Sequence, residues 1–158
     1  MPARDARHDR MIRPTFRSPA DPAAGTNSSP TVLVVEDVVL VRMLICDYLR
    51  NDGFTVVEAA SGDDAIGMLK ASLGVDAVFA DVYMPNSSID GFGVAEWVRR
   101  NKPDIKVVLT SGVDNGDRAA ELGHHGALMA KPYDRAGVAR RLRQVLGLDA
   151  GPTASSPK

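Results

Sequence analysis

Six residues of this chain have types and positions suited to chemistry on an anion: the adjacent acids Glu36 and Asp37, a third acid Asp81, the adjacent hydroxyls Thr110 and Ser111, and Lys131. Each group stands where an apolar run ends: "TVLVV" before Glu36, "DAVFA" before Asp81, "KVVL" before the hydroxyls and "ALMA" before Lys131. Two like charges about 4 Å apart repel by about 1 kcal/mol in water and about 4 kcal/mol at an effective dielectric of 20, so the acid pair calls for a cation or an open site. Oxygen donors without histidine or cysteine suit a hard cation, and a few carboxylates with room for waters suit Mg2+ better than Ca2+. A carboxylate can also act as a nucleophile and take a phosphoryl group, provided cationic and hydroxyl neighbours neutralise the transferring oxygens. Asp81 is the candidate nucleophile, with acids on one side and Lys131 and a hydroxyl on the other.

The elements that must position these groups alternate. From Thr31, short apolar runs alternate with amphipathic stretches in five pairs, the pattern of a parallel sheet covered on both faces. The strands are "TVLVV", "FTVVEA", "DAVFAD", "KVVLTS" and "ALMA"; the helices are "VVLVRMLICDYLRND", "SGDDAIGMLKASLG", "FGVAEWVRRNK", "DNGDRAAELG" and "DRAGVARRLRQVLG". Asp37 is the expected N-cap of the first helix with Gly53 past its end, and Ser61 with Asp64 opens the second. The expected fold is α/β, a doubly wound five-stranded parallel sheet in the flavodoxin-like order 2-1-3-4-5. In that order the first and third strands are neighbours, and Glu36, Asp37 and Asp81 meet at the switch point outside the strand carboxyl ends, where such sheets bind ligands.

The 158 residues, 44% hydrophobic and with a formal charge of -1, make one globular domain and argue against binding nucleic acid, which needs clustered Lys and Arg. The lone Cys46 excludes an internal disulfide or thiolate metal cluster, and a cytoplasmic location is expected. No run is long and apolar enough for a membrane span. Residues 1–30, rich in Arg, Pro, Ala and Ser, are expected to form a disordered arm starting at Met1 or Met11, residues 31–148 the domain, and residues 149–158 a disordered tail. Trp97 is assigned to the packing face of the third helix, and His124 and His125 to a helix end without a catalytic part.

The segments "VLVVEDVVLVRMLICDYL", "DAVFADVYMP", "DGFGVAEWVR", "VVLTSG" and "KPYD" resemble the receiver domains of two-component response regulators over roughly Thr31 to Leu148. The resemblance implies that Asp81 is the phosphoacceptor, that Glu36 and Asp37 with Asp81 and the Tyr83 backbone carbonyl hold Mg2+, and that Lys131 contacts the phosphoryl group. It also implies a histidine kinase or histidine phosphotransfer protein as donor. The chain would then be no enzyme beyond its own phosphorylation and slow dephosphorylation at Asp81. Register counted from Pro103 makes Ser111 the conserved hydroxyl, with Thr110 as the alternative. With about ten residues after the last helix, output is expected through a protein effector, and a homodimer is compatible with the pattern.

The chain departs from the family in three places. The turn "MPNSSIDG" is about two residues longer than usual, the stretch from Ser111 to Lys131 is shorter, and Leu128 stands where the family often carries an aromatic residue. Leucine has no polar tip to exchange between solvent and core, so ordering of "GVDNGDR" is the expected response instead. Among rival readings, a flavin binder would meet repulsion from "EDVV", an aspartate-nucleophile phosphatase lacks its second acid at Tyr83, and a P-loop enzyme lacks its motif. A degenerate receiver that binds partners without phosphorylation is the remaining alternative.

Overall fold

The computed structural model describes residues 28–71, 73–112, 120 and 126–149. The predicted arm up to residue 27, the tail from residue 150, most of the predicted fourth helix, the "GVDNGDR" segment after Gly112 and the two histidines lie outside these residues.

Five strands, β1 (Thr31–Val35), β2 (Thr55–Ala59), β3 (Ala77–Asp81), β4 (Lys106–Ser111) and β5 (Gly126–Ala130), form one sheet. Its order is β2-β1-β3-β4-β5 and all four pairings are parallel, as the sequence predicts. The described helices are α1 (Val39–Asn51), α2 (Gly62–Lys70), α3 (Gly91–Asn101) and α4 (Arg135–Val145).

Both faces of the sheet are covered, which explains why the strands read as continuous apolar runs rather than alternating ones. Successive residues still point to opposite faces. Leu33, Val35, Val78, Ala80, Val107 and Leu109 pack with Ala65, Leu69, Val94 and Val98 of α2 and α3. Val32, Val34, Ala77, Phe79 and Val108 pack on the other face with Ile45, Cys46, Leu49, Val138 and Leu142 of α1 and α4. Trp97 is partly buried against the α2/α3 core, in the packing role expected for it.

Helix ends correct the reading in two places. Val38, not Asp37, is the N-cap of α1 and makes no side-chain cap bond. Asp37 instead accepts a hydrogen bond from Asn86, a partner 49 residues away. Helix α2 ends at Lys70 rather than Gly74. Elsewhere local chemistry behaves as expected: Ser61 Oγ accepts from the Asp64 N–H at 3.0 Å, and Gly53 takes the left-handed φ of 91° that ends α1. Asp90 caps α3, its carboxylate accepting from the Gly93 N–H at 2.7 Å.

Candidate functional site at the carboxyl edge of the sheet

Register brings the predicted groups to one edge. Val35 of β1 lies opposite Ala80 of β3, so Glu36 and Asp37 leave β1 beside Asp81. Asp81 lies opposite Thr110 on β4, and Ser111 opposite Ala130 on β5, whose next residue is Lys131. The ladder runs one step past the strands, with Val82 N–H donating to the Thr110 carbonyl at 2.9 Å and Lys131 N–H to the Ser111 carbonyl at 2.8 Å.

At the centre, Lys131 Nζ donates to Asp81 Oδ2 at 2.7 Å, while the Tyr83 N–H donates to Oδ1 at 3.2 Å. Asp81 is 7% exposed. Burial works against the Lys131 ammonium, but the hydrogen bond and charge of Asp81, with Glu36 behind it, outweigh that and hold its pKa above the usual lysine value. Glu36 is 2% exposed. Burial and the charges of Asp81 and Asp37 raise its pKa above 4.5, although the Val38 N–H, donating to Oε1 at 3.0 Å, and Lys131 oppose the shift. This is a buried carboxylate short of positive charge.

The donor set fits Mg2+. Among the described residues no three acidic, histidine or cysteine side chains form a ready metal cage. Glu36 Oε1 is engaged by Val38, Asp37 Oδ2 by Asn86 at 3.4 Å, and Asp81 by Lys131 and Tyr83. Mg2+ does not need such a cage, because it keeps several waters and takes only one or two carboxylates directly.

The two hydroxyls part company. Thr110 follows Val108 in facing the α1/α4 side, and its Oγ1 is buried with no hydrogen-bond partner of normal geometry. The phenol of Tyr133, edge-on to Phe79, is the polar group that feels it. Burial raises the Tyr133 pKa, and Lys131 and the Thr110 hydroxyl pull it back. Ser111, also buried, alternates with Thr110 and shares its parity with Leu109 and, across the register, with Leu128.

Several supporting residues have no mark in the sequence. Arg42 Nη1 donates to the Glu36 carbonyl at 2.7 Å, and its Nε lies 3.6 Å from Glu58, itself paired with Arg50 at 2.7 Å. Gly91, at the start of α3, sits directly on the Asp81 carbonyl. Asp63 at the start of α2 binds the long loop after Asp81 through the N–H and hydroxyl of Ser88. Only Gly91 carried a sequence signal, the Asp-Gly pair before an amphipathic run.

Comparison with known proteins agrees with this geometry. The sequence model of the response regulator receiver domain matches residues 32–143. The sensor kinase CckA of Brucella abortus is 35% identical over 127 residues, covering 78% of this chain and 13% of that protein. The autoinducer 1 sensor kinase/phosphatase LuxN of Vibrio campbellii is 34% identical over 121 residues, covering 77% of this chain and 14% of that protein. The chain thus spans about a seventh of these curated relatives. Among solved structures, a response regulator receiver protein from Sinorhizobium medicae superposes with a TM-score of 0.70 at 27% identity, covering 75% of this chain and 95% of that one.

Proposed function

The chain belongs to the response regulator receiver domain family, and from that premise we propose that Asp81 accepts a phosphoryl group from a phosphohistidine on a histidine kinase or phosphotransfer protein. One carboxylate oxygen of Asp81 attacks phosphorus, the bond from phosphorus to the donor imidazole nitrogen breaks, and the imidazole leaves with that electron pair. Lys131, already at 2.7 Å from Asp81, stays beside the transferring group as its neutralising cation. Glu36, Asp37, Asp81 and the Tyr83 carbonyl would hold Mg2+, which offsets the charge that develops on the phosphoryl oxygens. Ser111 is the hydroxyl assigned to those oxygens: it is the last residue of β4, its carbonyl holds the Lys131 N–H at 2.8 Å, and the Thr110 hydroxyl is set beside the Tyr133 phenol instead.

The observation that carries this reading is the Lys131–Asp81 pair, with Asp81 nine-tenths buried at the end of the central strand and Glu36 beside it. A donor protein has a surface to meet: Val38, Val39, Leu40, Met43, Leu44 and Tyr83 are all more than half exposed around the acid pair, an apolar patch next to the chemistry. Among the described residues no helix is long and apolar enough to cross a membrane. The receiver unit is assigned to residues 31–148, in the cytoplasm, with a protein effector downstream.

The test is mass spectrometry of the chain incubated with Mg2+ and acetyl phosphate. One phosphoryl group is expected, absent without Mg2+ and absent in Asp81→Asn. An adduct of equal yield in Asp81→Asn would remove Asp81 from the role. Ser111→Ala is expected to slow the reaction more than Thr110→Ala, and the reverse order would exchange the two assignments.

A further inference from the structure

The loop from Val82 to Asp90, longer than the family's usual turn, is fastened at three points. Its first residues bind Asp81, through the Tyr83 N–H on Oδ1 at 3.2 Å. Its middle binds Asp37, through Asn86 Nδ2 on Oδ2 at 3.4 Å. Its far side binds α2. There Ser88 donates twice to one carboxylate, Oγ to Asp63 Oδ1 at 2.6 Å and N–H to Asp63 Oδ2 at 3.1 Å. Ser87 Oγ accepts from the Gly62 N–H at 2.9 Å and has a single proton to give, which the distances assign to the Ile89 carbonyl at 2.6 Å over Asp63 Oδ2 at 3.2 Å. The Ser88 hydroxyl is also the leading cause of a lowered Asp63 pKa.

We infer that Asp63 is a positioning residue for the cation site, acting through Ser88 and the loop although it touches none of the site carboxylates. Granted the phosphoacceptor reading above, the same loop must present the Tyr83 carbonyl and hold Asp37 in place. A loop of this length has many conformations, and its apolar anchors are Val82 and Met84 at its start and the partly buried Ile89 near its end, which leaves the polar stretch 86–88 between them. The Asp63–Ser88 clasp, beside the Gly62 N–H on Ser87, fastens that stretch to α2 and with it Asn86, whose amide holds Asp37. Outer-shell partners of this kind commonly carry about 10–100-fold in metal affinity.

Asp64 supplies an internal control. It lies in the same first turn of α2 and carries the same charge, but its neighbour Asp63 alone reaches the loop. Mg2+ titration of the full chain is expected to show a Kd raised about tenfold in Asp63→Ala and in Ser88→Ala, with Asp64→Ala unchanged. The double variant Asp63→Ala/Ser88→Ala should lose no more than Asp63→Ala alone, since Ser88→Ala removes only the hydroxyl bond and Asp63→Ala removes both that bond and the one from the Ser88 N–H. Without any metal, hydrogen exchange at the Ser88 amide should accelerate in Asp63→Ala and not in Asp64→Ala. Equal Kd shifts in Asp63→Ala and Asp64→Ala would reduce the effect to net charge and overturn the inference, as would no shift in either alongside normal Mg2+ binding by the unaltered chain. Failure of the unaltered chain to bind Mg2+ would overturn the phosphoacceptor reading itself, and the inference with it.

Discussion

Replacing Gly91 by alanine tests whether α3 really rests on the phosphoacceptor strand. The Gly91 N–H donates to the Val82 carbonyl at 3.2 Å. A Cβ added there would fall on the Asp81 carbonyl oxygen and 2.9 Å from Val82 Cα. Carbon–carbon contacts settle at about 3.5–4.0 Å, so α3 and the end of β3 must separate by roughly 0.6 Å or more. The obstacle is backbone on both sides, which cannot swing away as a side chain would, and overpacking of this kind costs about 1–3 kcal/mol. At about 4 °C per kcal/mol for a domain of this size, the melting temperature should fall by about 4–12 °C. Because the displaced atoms belong to Asp81 itself, its phosphorylation rate should drop as well, as misplacement by about 1 Å can cost about 100-fold. Gly67, inside α2 with nothing within 4 Å of its would-be Cβ, is the matched control. Gly67→Ala should gain about 0.4–1 kcal/mol from reduced unfolded-chain entropy and melt higher. Thermal denaturation of both variants, with acetyl phosphate kinetics on each, decides the matter. A Gly91→Ala protein that melts and reacts like the unaltered chain would refute the close seating of α3 on Asp81.

Three further outcomes are expected. Glu36 titrates above its ordinary value in the folded chain, so the folded state holds its proton more tightly than the unfolded one; without Mg2+, stability should decline as pH rises from about 4.5 through the raised pKa, and Glu36→Gln should flatten that decline in urea titrations. Thr110→Val removes a buried hydroxyl that lacks a partner and should be neutral or stabilising by about 1 kcal/mol; a clear loss of stability would show instead that the Tyr133 phenol bonds it in solution. Cys46 is buried with its thiol pushed up to about 12, chiefly by burial, so iodoacetamide at pH 8 should leave it unmodified until the chain is unfolded, and rapid labelling of the native chain would contradict its placement.

What could be read in advance follows the range of the interactions involved. Strand ends were legible because apolar runs stop where side chains reach solvent or a site, and once the order was assumed, Glu36, Asp81, the hydroxyls and Lys131 had to share an edge. The cap at Ser61 and the turn at Gly53 are local, and local chemistry fixed them. Asp37 was misread as a cap because the competing donor, Asn86, is remote in the chain and no periodicity announces it. Arg42 falls at an ordinary helical position, and its bond to the Glu36 carbonyl depends on how α1 leaves β1. The length of the loop after Asp81 was visible, but its fastening to α2 was not, since nothing in "NSSID" marks Asp63, 25 residues earlier, as the acceptor for Ser88.

The two partners at the centre of the site come from unequal parts of the sheet. Asp81 ends β3, which is buried at all five positions and paired on both sides. Lys131 follows β5, which is half-buried and, among the described residues, pairs with β4 alone. Local unfolding starts where burial and pairing are weakest. The acid is therefore moored to the part of the fold that opens last, while its cation rides on a part that can detach at a fraction of the global cost. Partial unfolding of the β5 edge would uncover Asp81 without dismantling the acid pair, which makes the lysine the natural moving half of the site and the carboxylate its fixed reference.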